Sequence, residues 1–133
     1  MTHGAVYNTI RAQFATVASA ATVTVIYDNQ ANQDTPDTGI WCRLTILPGD
    51  EHQIAMGVDR FRMVGVMVAQ LFGPLGEGDG NLLTLADTIM GNFRNDTYSG
   101  VRFKVPSMIN MGQRNSNWQI NVNCPFAAEY TTT

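Results

Sequence analysis

The chain has 133 residues, 44% of them hydrophobic and 14% charged, with a formal net charge of −3. That length suits one domain of roughly 100–150 residues whose core needs no disulfide or metal staple. The basic residues Arg11, Arg43, Arg60, Arg62, Arg94, Arg102, Lys104 and Arg114 are scattered along the chain, which argues against a nucleic-acid binder, since such proteins gather charge into a patch that neutralises phosphates.

No apolar run approaches the roughly 20 residues that cross a bilayer. Polar Asn8, Arg11 and Gln13 interrupt the opening segment, where a secretory signal would be apolar. We therefore expect no membrane partner and assembly in a cytoplasm. The few charges are replaced by Asn, Gln, Thr and Ser. Such groups lose their water at lower cost than ionised ones, a composition that favours wide protein–protein contacts.

In chain order, Val6, Ile10, Phe14 and Val17 recur at helical spacing and predict an amphipathic helix from Ala5 to about Ala18. Residues 22–27 alternate and are β-branched, so they read as a strand. A polar stretch at about 28–39 has no period and reads as an exposed loop. A second strand is expected from Ile40 to Leu47, closed by a turn at Pro48-Gly49-Asp50. A third starts near Asp59 and runs to Phe72. Its centre is apolar on both faces, which predicts cover from both sides.

A glycine-rich turn from Gly73 to Gly80 leads into the clearest helix, marked by Leu82, Leu85, Ala86, Ile89, Met90 and Phe93. Asp79 or Asn81 is its expected N-cap. Val101–Val105 reads as a short strand and 106–117 as a loop bearing Met108 and Met111. Trp118, Ile120, Val122, Cys124 and Phe126 alternate along a closing strand. Residues 127–133 show no packing signal and read as a flexible tail. The fold class expected is α+β: a single domain over 1–133, with a mostly antiparallel sheet and two helices packed on one face.

The search for chemistry yields no catalytic, cofactor-binding or metal site. Gly76-Glu-Gly-Asp-Gly80 lacks the Lys-Ser/Thr ending of a phosphate loop, and Glu77 and Asp79 would repel a phosphate. It also lacks the oxygen ligands of a calcium loop. His3 stands at the chain start, and His52 beside Asp50 and Glu51 reads as a solvated loop. Cys42 and Cys124 are too few and too far apart for zinc. They read as buried thiols, with a disulfide between them as the alternative.

The residues most telling together are Trp41-Cys-Arg-Leu-Thr-Ile-Leu-Pro48, Arg62-Met-Val-Gly65, Leu71-Phe-Gly-Pro-Leu-Gly-Glu-Gly78, Leu85–Phe93 and Trp118–Phe126. With the N-terminal helix, this layout resembles the tail terminator proteins of long-tailed bacteriophages over nearly the whole chain. Two departures are the long polar loop at 28–39 and the Cys-Pro-Phe ending. The resemblance implies a virion subunit, not an enzyme and without cofactors. It implies a ring, hexameric in the family, that caps the tail tube at the head-proximal end. Its partners would be copies of itself, the tail tube protein and the head-completion protein, with DNA passing through the ring without sequence-specific contact.

On that footing the candidate ring or tube contacts are Asp34 and Asp37 in the polar loop, Arg60 and Arg62 on the third strand, and Met108, Met111 and Arg114 in the 106–117 segment. The alternatives are a head–tail connector, a tail-tube subunit or, from another class, a small ligand-binding α+β domain.

Overall fold

The computed structural model describes residues 3–21, 23–27, 39–54, 60–76, 80–98, 100–114 and 117–131. Its elements are α1 (His3–Ala20), β1 (Thr24–Tyr27), β2 (Trp41–Gln53), β3 (Arg60–Pro74), α2 (Gly80–Phe93), β4 (Thr97–Tyr98), β5 (Val101–Phe103), β6 (Ser107–Arg114) and β7 (Asn117–Thr131). The strands form one sheet in the order β1-β2-β3-β7-β5-β4, and β6 also pairs with β7. Every pairing is antiparallel except β1 with β2, which is parallel. The α+β class with a mostly antiparallel sheet is thus as expected.

The helical stripe read from the sequence is the buried one. Val6, Ile10, Phe14 and Val17 of α1 and Leu82, Leu85, Ala86, Ile89 and Phe93 of α2 join one apolar cluster. The same cluster takes Met63, Met67, Ala69 and Leu71 from β3 and Ile120, Val122, Cys124, Phe126 and Ala128 from β7. Aromatic contacts tie its layers together. Phe93 meets Phe14 at 6.2 Å and Phe103 at 4.8 Å, and Phe103 meets Phe126 at 6.2 Å between ring centroids. Beyond α2, Asn95 takes the left-handed conformation at φ 55°, a usual way to end a helix.

The opposite face of β3 carries Val64, Val66, Val68, Gln70 and Phe72, all half-buried. The third strand is therefore apolar on both faces as expected, but this second face is only partly covered within one chain. Trp41 stacks on Phe72 there, with centroids 4.2 Å apart and planes 17° from parallel.

Several boundaries differ from the sequence reading, each because pairing overrides local signals. Pro48-Gly49-Asp50 is not the end of β2. The strand continues to Gln53 and absorbs these residues as an irregularity between Pro48 and Glu51 in its ladder with β3. The 106–117 segment is not a loop: β6 pairs along β7 from Ser107 to Arg114, with a register shift at Gly112, whose φ is +74°. Nor does packing stop at residue 127. β7 runs on to Thr131 opposite Arg60, and Ala127 and Ala128 are buried. Asn81 lies inside the first turn of α2, which begins at Gly80, so it is not the N-cap, and Asp79 lies outside the described residues. The polar loop falls almost wholly outside them too, at 28–38.

Pro125 shows how β7 accepts a proline in mid-sheet. Its carbonyl receives the Lys104 amide at 2.8 Å, so its own nitrogen faces the same side. Pairing with β6 ends at Asn123 and pairing with β5 starts at Phe126. The missing N–H thus falls in the gap between two neighbours and breaks no ladder bond.

Two substitutions test this packing by chemical denaturation. At Gly65 an added Cβ would sit 2.7 Å from the Leu47 carbonyl oxygen and 2.7 Å from Phe126 Cζ. Gly65→Ala should therefore cost about 1–3 kcal/mol, as overpacking does. Phe93→Ala removes the ring shared by α1, α2 and β5 and should cost about 3–5 kcal/mol.

Candidate functional site

The thiols, histidines and carboxylates among the described residues do not converge. Among the described residues no group of three or more His, Cys, Asp or Glu side chains could hold a metal ion. Cys42 and Cys124 are buried and unbonded, and β3 lies between them in the sheet. Their sulfurs donate to the Thr24 carbonyl at 3.7 Å and the Lys104 carbonyl at 3.8 Å. Burial pushes the Cys42 thiol up to about 12 and the Cys124 thiol up to about 11. A nucleophilic cysteine needs the reverse shift. His52 is exposed on β2, as is the Asp50–Gln53 stretch around it.

A groove of about 470 Å³ runs between α1 and α2. Its floor includes Val17 and Leu85, and its rim Gln13, Thr16, Thr84 and Thr88. Among the described residues no titratable side chain lines it, and those that do offer no general acid or base. The hydroxyls of Thr16, Thr84 and Thr88 donate to carbonyls one turn back in their own helices, at 3.0–3.1 Å. They are spent on the helix.

The candidate contact residues separate into groups. Arg60 and Arg62 stand on β3 and share the carboxylate of Glu129 on β7. Arg62 Nη2 donates to Glu129 Oε1 at 2.7 Å and its Nε at 3.2 Å, while Arg60 Nη2 donates to Oε2 at 3.3 Å. Hydrogen bonds from Arg62 hold the Glu129 carboxyl below the usual range, and the charges of Arg60 and Arg102 act in the same direction. This three-residue group was not legible beforehand, because Glu129 sits in the segment that reads as a tail.

Met108 is 40% exposed on β6, beside Ile109 at 47%, and Met111 is half-buried. The sequence reading singled out the methionines and missed Ile109. Arg114 ends β6 opposite Asn117. Met108 pairs with Val122, and Arg62 with Glu129, so ~24 Å of β7 separates the two groups at the usual rise per residue. They do not form one patch. Asp34 and Asp37 lie outside the described residues. What the surface offers is sheet: a half-covered apolar face and exposed strand edges, the geometry of assembly more than of small-molecule chemistry.

Comparison with known proteins agrees with this. A family model described as phage tail terminator protein matches residues 5–126. None of the curated proteins matches this sequence. One solved structure superposes with a TM-score of 0.77 over 100% of this chain and 99% of its own, at 15% sequence identity. At that identity the likeness speaks for the fold alone.

Two measurements check the site chemistry. Both thiols should react with a thiol reagent at pH 8 at least about a hundredfold slower than an exposed cysteine, and at ordinary rate after unfolding. The lowered Glu129 value means that the folded state holds the carboxylate more tightly than the unfolded chain. Its contribution is present above the ordinary glutamate value, about 4.3, and is lost as pH falls through the lowered one. Acid titration of stability should accordingly show a shallower loss in Glu129→Gln than in the wild type across that window.

Proposed function

The chain belongs to the phage tail terminator family, a family of structural tail proteins and not of enzymes; from that premise we propose that it forms a ring, hexameric as the resemblance implies, which caps the tail tube and ends its growth. The observation that carries this reading is the family match over residues 5–126. The surface is consistent with it. One face of β3 remains half-covered in a single copy, and Leu47, Val105, Met108 and Ile109 are large apolar side chains left exposed.

The mechanism is steric and energetic. One side of the ring matches the end of the tube, and the other side cannot accept a further tube layer. It presents instead a surface to the head-completion protein. The subunit thus sits at the head-proximal end of the virion tail and is assembled in the host cytoplasm, with DNA passing through the ring. In a closed ring each subunit offers two different patches to its neighbours. We assign Arg60, Arg62, Met108, Met111 and Arg114, with Asp34 and Asp37 of the polar loop, to these contacts or to those with the tube as part of the same proposal.

Electron microscopy of lysates from a phage lacking only this gene tests the reading. Overlong tails without heads are expected, and supplying the gene in trans should restore normal length. Tails of normal length detached from full heads would make the protein a joining factor. Intact infectious particles would end the assembly reading altogether.

A further inference from the structure

The sheet has two outer edges that face away from each other: β1 on one side and β6 on the other. Among the described residues neither has a strand on its outer side. Exposed edges are templates for another chain, and proteins usually blunt them with charge, proline, bulges or brevity. β2 beyond its β1 partners is blunted in this way, with Pro48, the irregularity before Glu51, and exposed Asp50 and His52. β4 is only two residues long. By contrast, Thr24–Tyr27 and residues 107–113 contain no charged residue and no proline. β1 is short, at four residues, and β6 carries a register shift between Asn110 and Gly112, so charge and proline are the guards that these two stretches lack.

The two bare edges also match. Reading across the ladders, Ile26 lies level with Arg43, Gln70, Asn121 and finally Ile109. By the same path Tyr27 is level with Met108, and Thr24 with Gly112. β1 runs with β2, whereas β2, β3, β7 and β6 alternate in direction. β6 of one copy laid against β1 of the next would therefore pair antiparallel. Side-chain faces agree as well. Ile26 and Ile109 share the face of Gln70, and Tyr27 and Met108 share the opposite face, where a slip of one residue would reverse both.

We propose that copies of this chain join by sheet extension, the β6 edge of one pairing with the β1 edge of the next so that Ile109 meets Ile26. This rests on the ring reading above. The contact is heterologous, and because the edges are level it adds copies with no step along the strand direction. That is the condition for a closed ring instead of an open helix. Backbone hydrogen bonds supply the attachment, and alternating side chains set the register, as in other strand additions.

The test uses tails from the gene-deleted phage supplied with cysteine variants. Cys42 and Cys124 are buried on inner strands and stay silent, whereas Ile26, 7% exposed, lies on the edge strand. Under mild oxidation, chains carrying both Ile26→Cys and Ile109→Cys should give a covalent ladder of copies. A mixture of the two single variants should give dimers only, and each variant alone should give none. Chains with Leu47→Cys and Ile109→Cys should stay uncrosslinked. Ile109→Lys, at an exposed position, should keep its circular dichroism spectrum and lower incorporation into tails at least tenfold.

Wild-type chain in tails with no 26–109 ladder, a 47–109 ladder, self-dimers of one single variant, or undiminished incorporation of Ile109→Lys would each overturn the edge pairing and leave the terminator reading standing. Absence of the wild-type chain from tails would overturn both.

Discussion

Everything in this molecule hangs on the ladder between β3 and β7. The two strands pair without a register shift from Arg60 opposite Thr131 to Pro74 opposite Asn117. β2 is hydrogen-bonded to the outer side of β3, and β5 and β6 share the outer side of β7 end to end. Because side chains alternate strictly along paired strands, this one register decides which residues face the helices. Met63, Met67 and Leu71 go to the core with Ile120, Cys124 and Phe126, while Val64, Val66 and Val68 go to the other face. A one-residue slip would exchange the two sets.

The ladder also explains the distribution of constraints. Gly65 faces Phe126 across it, and the ring occupies the space a side chain would need. Pro125 sits where β7 changes partner. Arg62 faces Glu129 directly and Arg60 reaches the same carboxylate from two pairs further along, on the same face. That pair is exposed and screened by solvent, so it orders the end of the ladder more than it stabilises it. The apolar content is concentrated elsewhere, in the Phe14–Phe93–Phe103–Phe126 contacts that join both helices to β5 and β7.

The structural logic of an assembly protein shows in how its surface is divided. Small-molecule chemistry needs convergent polar groups in a pocket, and among the described residues no titratable group lines the groove between the helices. The thiols are sealed by burial. The exposed large apolar residues are instead on strands, at Leu47, Met108 and Ile109, or in the segments that follow them, at Leu75 and Val105. Charge and proline stand on one stretch of edge, in β2, and are missing from β1 and from residues 107–113 of β6.

Both helices were legible from the sequence, because Val6, Ile10, Phe14 and Val17, or Leu82 to Phe93, carry a period that depends only on local geometry. The cores of β2, β3 and β7 were legible for the same reason, as was the family resemblance carried by those segments. Pro48-Gly49-Asp50 reads as a turn by its own chemistry, and only the pairing with β3 makes it part of a strand. β6 and the end of β7 have weak local signals: Asn110, Gly112 and Ala127 favour no strand until a partner supplies the hydrogen bonds. The grouping of Arg60 and Arg62 with Glu129, and the level placement of Ile26 and Ile109 at opposite edges, involve residues far apart in the chain. Periodicity determines which side of an element is apolar; which strands lie side by side, and hence which edges remain open, is decided only when the non-local ladders close.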